Sequence, residues 1–182
     1  MSTCTALTKA GGPLLMEVDS VATAVRWALS YLGCMRHMAP RPVCVCDIDG
    51  TVLQNGQQGE TRCVLHLRTL IEACREAGIG IVYVTARPEG QENREHTERQ
   101  LRRCGIACHQ KLYMMPPRAE YGRYKWRARQ QVLEQGHTIL LSIGDQWADL
   151  NRRNPELDNF KIYVGQIGDN STFSIKLPSE FP

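Results

Sequence analysis

The stretch Val43-Cys44-Val45-Cys46-Asp47-Ile48-Asp49-Gly50-Thr51-Val52 constrains this chain more than any other. A short apolar run rich in valine and ended by turn residues reads as a buried strand. Two aspartates follow at a spacing of two, which on an extended backbone sends both carboxylates to the same side. Carboxylates placed so are costly unless something positive stands between them. A hard divalent cation such as Mg²⁺ meets that need, with oxygen ligands and retained waters. Gly50 then lets the backbone turn sharply without a Cβ penalty.

The rest of the chain alternates in type. Residues 1–15 contain Gly11-Gly12-Pro13 and no period, and read as a loosely held tail. Val21, Val25, Ala28, Leu29 and Leu32 recur at helical spacing, with Asp19 or Ser20 as cap and Gly33 as stop. This helix either flanks the domain or serves as a dimer or lid element. Residues 36–42 carry two prolines and read as a linker, so the expected organisation is an N-terminal tail and helix over 1–40 and one domain over 41–182. Leu53 to Glu60 reads as a loop or hairpin. Helices are expected from Val64 to Ala77, Gln91 to Cys104 and Tyr121 to Gln135. Further strands are expected at Ile79–Val84, Leu112–Met115, Thr138–Ile143 and Phe160–Val164, and an irregular tail from Gly165.

Strands alternating with helices argue for an α/β fold, a five-stranded parallel sheet flanked by helices. Ligands of such sheets bind beyond the carboxyl ends of the strands. Asp47 and Asp49 follow the first expected strand, Thr85 and Arg87 the second, and Asp145 the fourth, which places them in one convergent site.

Composition sets outer bounds. At 182 residues the chain can bury a sizeable core, and a net charge of +3 is too small to argue nucleic-acid binding by itself. No apolar run approaches the ~20 residues of a membrane helix, and no basic start leads into an apolar stretch at the N-terminus. Cys44 and Cys46 lie in the apolar strand as small hydrophobes. Cys104, Cys108 and His109 lack a CxxC partner for zinc. Reduced thiols in the cytoplasm, with no membrane partner, are therefore expected for the eight cysteines.

Asp47-Ile48-Asp49-Gly50-Thr51-Val52 resembles motif I of the haloacid dehalogenase (HAD) superfamily of phosphotransferases. Ile81-Val82-Tyr83-Val84-Thr85 is similar to motif II, Lys125 in Tyr124-Lys125-Trp126-Arg127 to motif III, and Gly144-Asp145-Gln146-Trp147-Ala148-Asp149 to motif IV. All four appear in order between Val43 and Val164. Within the superfamily, Thr85-Ala86-Arg87-Pro88-Glu89 and Ser142 to Leu150 are similar to the acid phosphatase group that includes bacterial class B enzymes and plant vegetative storage proteins. Gly50 stands where that group often has an acid, and Ala86 where it often has glycine.

The resemblance implies a Rossmann-like fold and a role for each residue. Asp47 would be the nucleophile and Asp49 the general acid and base. Asp145 would complete a Mg²⁺ shell with Asp47 and Asp49, the latter through its backbone carbonyl, and Asp149 would be a ligand or hold the metal waters. Thr85 and Ala86 would meet the phosphate, Arg87 would either meet the phosphate or substrate or only pair with an acid, and Lys125 would neutralise the phosphate. Lys111 is a rival lysine, but it precedes its strand. His66, His96, His109 and His137 show no pairing, and Trp147 reads as packing beside the metal loop. The short connections after Val52 and after Met115 leave no room for a cap domain, so a capless, open site is expected. The expected activity is phosphomonoester hydrolysis, on a phosphorylated small molecule or nucleotide. The alternatives are phosphotransfer, a nucleic-acid 3′-phosphatase using a patch of Arg99, Arg102 and Arg103, or a non-catalytic binding or storage protein. An oligomer would form through the N-terminal helix.

Overall fold

A computed structural model describes residues 15–55, 60–153 and 156–179; of the tail read over residues 1–15, residues 1–14 lie outside them, and Leu15 opens a strand instead. Strand β1 (Leu15–Val18) is followed by α1 (Val21–Met35), β2 (Pro42–Cys46), a hairpin of β3 (Leu53–Asn55) and β4 (Thr61–Cys63), and α2 (Leu65–Glu76). Then come β5 (Gly80–Pro88), α3 (Gln91–Arg103), β6 (Lys111–Met115), α4 (Tyr121–Glu134), β7 (Thr138–Gly144), a 3₁₀ turn (Trp147–Asp149), β8 (Ile162–Gly165) and β9 (Phe173–Lys176).

Among the described residues the main sheet has seven strands in the order β1-β8-β9-β7-β2-β5-β6. The pairs β9–β7, β7–β2, β2–β5 and β5–β6 are parallel, while at one edge β8 runs antiparallel to both of its neighbours, β9 and β1. The parallel core therefore holds the five strands expected, with a different membership. The sequence puts Phe160–Val164 within it, yet β8 lies antiparallel to β9. The true fifth parallel strand, β9, falls in the tail expected to be irregular. The chain moves from β2 to β5 and β6 on one side, then returns to β7 on the other, so the strand order reverses beside β2. That switch point opens a crevice at the carboxyl ends, where Asp47 emerges.

The core sits on both faces of β2. Val43, Cys44, Val45 and Cys46 are all at most 3% exposed, and a fully buried valine contributes about 1.5–3 kcal/mol. Cys44 and Cys46 face Leu67, Leu70, Ile71 and helix α1, while Val43 and Val45 face Tyr124, Ala128 and Val132 of α4. Helix α1 starts at Val21, where the Ser20 hydroxyl accepts from the Thr23 N–H. Its Ala24, Val25, Ala28 and Leu32 are buried in the same core, and Tyr31 stacks on Phe173 at 4.7 Å. The flanking arrangement is thus the one adopted, and the apolar face is spent within the chain. No described helix is long and apolar enough to cross a membrane.

The connection from β2 to α2 is the β3–β4 hairpin, and residues 116–120 link β6 to α4, so neither insertion point carries a cap domain. The hairpin is tied down instead. Cys63 at the end of β4 is disulfide-bonded to Cys104, just past α3, which corrects the expectation of reduced thiols throughout. Cys44, Cys46 and Cys74 remain free and buried. For a sequence separation of 41, loop-closure entropy makes such a bridge worth about 4 kcal/mol. A Cys63→Ser/Cys104→Ser variant is expected to lose stability of that order in chemical denaturation. A variant whose midpoint matches the wild type would show that the bridge does not hold the hairpin.

Candidate active site

Asp47 leaves β2 with its N–H bonded to the carbonyl of Ile143 on β7. The chain then turns at Gly50, whose φ of +73° suits a residue without a Cβ. A Cβ there would stand 2.9 Å from the Asp145 carboxylate, so glycine also lets Asp145 approach. At the end of β7, a Cβ on Gly144 would lie 2.2 Å from that of Asp149. The sheet thus closes on its own acids by omitting two side chains.

Carboxylate oxygens of Asp47, Asp145 and Asp149 lie within 4.8 Å of one another, and all three residues are buried. Lys125 enters from α4. Its ammonium donates to Asp47 and to the Val84 carbonyl, at 2.6 Å for the latter, and lies 2.7 Å from Asp149. Thr51 is fully buried and its hydroxyl bridges Asp47 and Asp145 at 3.5 and 3.4 Å. The Gln146 side chain donates to Asp145 at 2.7 Å, its N–H to Asp149 at 3.0 Å, and the Tyr121 hydroxyl to Asp149 at 3.3 Å.

One ammonium among three carboxylates leaves negative charge in excess, and the electrostatics follow. Burial raises the Asp47 carboxyl against the pull of Lys125, with Asp149 adding to the rise, and pushes it up to about 8. Burial and then Asp149 hold Asp145 above its ordinary value. Burial also opposes the charge on Lys125, but Asp149 and Asp47 outweigh it and hold the ammonium above the usual lysine value. A buried, all-oxygen acidic cluster of this kind fits a hard divalent cation.

Asp49 stands apart from that cluster. Arg87 donates to both its carboxylate oxygens, at 2.8 and 2.7 Å. The same guanidinium donates to Thr97 and Gln100, and Gln100 reaches Thr61 of the hairpin at 2.7 Å. The register between β5 and β6 shifts between Thr85 and Pro88, so Ala86 and Arg87 leave the ladder. This bulge is what aims Arg87 at Asp49. Thr85 is buried, and its hydroxyl accepts from the Arg87 N–H.

The structure therefore brings Asp47, Lys125, Asp145 and Asp149 together, places Asp49 and Arg87 beside them as an ion pair, and sets Thr85 and Ala86 in the adjoining bulge. Lys111 opens β6 at the opposite end of the sheet, as its position before the strand implied. Trp147 is buried, as expected of a packing residue, and lies 5.9 Å from Tyr163. His137 is not unpaired, since it contacts the Arg41 carbonyl at 3.2 Å. The patch of Arg99, Arg102 and Arg103 is largely neutralised, with Arg99 and Arg102 paired to Glu95 and Glu98.

Sequence reasoning misses Thr51, Tyr121, Gln146 and the Thr97–Gln100 support of Arg87. A signal exists for one of them. Tyr121, Lys125 and Arg129 follow at intervals of four on α4, which puts them on one helix face. Arg129 is buried too, and donates to the Ala148 carbonyl at 2.8 Å, in the turn between Asp145 and Asp149. Lys176 escapes sequence reasoning as well. It is fully buried on β9, bonded to the carbonyls of Leu177 and Asn159 at 2.6 and 3.1 Å.

A parallel sheet whose switch point gathers buried aspartates around a lysine defines a HAD-type phosphate-handling centre. The chain belongs to the HAD superfamily, subfamily IIIB (acid phosphatase), whose family model matches residues 15–179. Among solved structures it is similar to the class C acid phosphatase from Bacillus anthracis with tungstate bound, with a TM-score of 0.51, 17% identity, and coverage of 66% of this chain and 60% of that one. It is also similar to a chain of the Pnkp1/Rnl/Hen1 complex, with a TM-score of 0.50 and 14% identity over 74% of this chain and 43% of that one. The chain thus spans less than two thirds of the length of either. None of the curated proteins matches it.

Proposed function

We propose that the protein hydrolyses phosphomonoesters through an aspartyl-phosphate on Asp47, with Mg²⁺ as its cation. The observation that carries this reading is the meeting of Asp47, Asp145 and Asp149 around Lys125. Asp47, Asp145 and Asp149, with the backbone carbonyl of Asp49, would hold the ion. When bound, it would neutralise the carboxylates and the incoming phosphate and so keep Asp47 ionised.

Each remaining step belongs to the chain's own residues. An Asp47 oxygen attacks phosphorus, and the bond from phosphorus to the leaving oxygen breaks. Asp49 gives that oxygen a proton, then takes one from the water that attacks phosphorus and releases Asp47. The dianionic phosphoryl group competes with Asp49 for Arg87, so substrate arrival loosens the ion pair and frees Asp49 for proton transfer. Lys125 balances the charge on nucleophile and phosphate. Thr85 and the bulge at Ala86 would receive the phosphoryl oxygens. Phosphotransfer would differ only in an alcohol replacing the second-step water. Retention of all four charged residues weighs against a non-catalytic storage role.

The disulfide between Cys63 and Cys104 supports an oxidising setting over the reduced cytoplasmic one expected from sequence. The deciding experiment is turnover of an aryl phosphate. Chelation is expected to abolish it and added Mg²⁺ to restore it. Equal rates with and without chelator would refute the metal-assisted reading.

A further inference from the structure

Helix α4 has a second working face. Tyr121, Lys125 and Arg129 look toward the aspartates and the metal loop. Arg123, Tyr124 and Arg127 line a groove of about 690 Å³ between α4, strand β6 and Arg94 of α3. The groove holds five cations, Arg94, Lys111, Arg118, Arg123 and Arg127. None of them has a carboxylate partner within ion-pair distance among the described residues. Of the two acids in the lining, Glu120 is engaged, since its carboxylate accepts from the N–H groups of Gly122 and Arg123 to cap α4.

Two further features point to a ligand. Tyr124 lines the groove and is 9% exposed, yet its hydroxyl is buried without a hydrogen-bond partner. A buried, unpaired hydroxyl is costly, and an arriving acceptor would satisfy it. Tyr113 offers a second aromatic ring, with the Lys111 ammonium 4.7 Å from its centroid. Strand β6 is also the last strand of the sheet among the described residues, and its Lys111, Leu112, Tyr113 and Met114 line the same groove.

We propose that this groove binds the phosphodiester backbone of a single-stranded nucleic acid. Arg118, Arg123 and Arg127, without a carboxylate partner, follow a concave path beside the half-buried Tyr113 ring, and so combine a backbone track with a stacking site. The half-buried Tyr113 ring can take an unstacked base, which a duplex does not offer, and the Tyr124 hydroxyl can donate to a phosphate oxygen. An acidic polypeptide would use the cations and leave the Tyr113 ring idle. The inference rests on the phosphomonoesterase reading only for the fate of the strand's end, since a terminal phosphate would pass from this face of α4 to the Lys125 face.

The test is fluorescence anisotropy with a labelled oligothymidylate that carries no terminal phosphate, in the presence of chelator. Wild-type protein is expected to bind it with a steep loss of affinity as salt rises. An Arg123→Ser/Arg127→Ser variant should bind at least about tenfold more weakly, with a salt slope shallower by about 1.4 for two lost single-strand contacts. Both arginines are exposed, and a thermal melt will show that the variant is folded. An Arg99→Ser/Arg102→Ser variant on α3 should bind as wild type does. No binding by the wild type, unchanged binding by Arg123→Ser/Arg127→Ser, or displacement by polyglutamate as effective as by unlabelled oligothymidylate would each overturn the proposal. Aryl phosphate hydrolysis without oligonucleotide binding would sink the groove alone. Binding without hydrolysis would sink the phosphatase reading alone.

Discussion

Replacing Asp47 with Asn is expected to lower aryl phosphate hydrolysis by about four to six orders of magnitude, because in the proposed mechanism it removes the atom that attacks phosphorus. The fold should survive, and for a physical reason. Asparagine has the same shape, and its side-chain oxygen still accepts from Lys125. It also removes one of three carboxylates that crowd within 4.8 Å. Since burial pushes Asp47 up to about 8 from an ordinary 3.8, the native state favours its protonated form. Metal-free wild-type protein must therefore lose stability as pH rises between those values, while the unfolded chain ionises freely. An asparagine side chain has no such proton to lose. In chelator, Asp47→Asn should melt at or above the wild-type temperature, with a gap wider at pH 8 than at pH 5. Retained turnover would remove Asp47 from the chemistry. A collapsed fold would mean that its charge is structural.

What could be read from the sequence divides along physical lines. Strands β2, β5 and β7 announce themselves because each is a Val- or Ile-rich run buried on both faces and ended by Gly, Pro or Asp. Strand β9 does not, since Phe173-Ser174-Ile175-Lys176 is four residues long and half polar. Its burial depends on Lys176 finding two carbonyls, which no local pattern announces. Once β9 is recognised, the antiparallel course of β8 follows, because residues 166–172 are too few for a parallel crossover. The site shows the same division. Asp47, Asp49 and Asp145 declare themselves by following strands. The lysine among several basic residues of α4 is singled out only through family resemblance, because helical position cannot say which face meets the site. That Arg87 could pair with an acid is legible in the sequence, but that the acid is Asp49 is legible to neither route. It depends on a bulge after Thr85, and bulges arise from the register of two strands rather than from either sequence alone.

Lys125 carries the second large effect, and here stability and rate fall together. Lys125 is 1% exposed and is the ammonium that faces both Asp47 and Asp149. A Lys125→Met variant keeps most of the volume and removes the charge. Asp47 and Asp149 would then confront each other and Asp145 in a buried space, and the Val84 carbonyl would lose its donor. Stranding buried charges in this way costs about 3–5 kcal/mol. For a chain of this size that corresponds to a fall of roughly 10 °C in melting temperature. The wild-type contribution has a defined pH window. Because the native state holds the ammonium above its ordinary value, the stabilisation is complete below that value and disappears only as pH climbs past the folded one. The proposed Mg²⁺ would supply positive charge to the same carboxylates, so it should recover a large part of the lost melting temperature in the variant. It should not recover the rate, since in the proposed mechanism Lys125 also balances the phosphoryl charge, and removal of such a preorganised charge costs about two to three orders of magnitude. Melting with and without Mg²⁺, beside kcat at saturating metal, separates the two roles. A variant as stable as wild type in chelator would mean that the three aspartates need no internal counter-charge, and the electrostatic basis assigned to this site would be wrong.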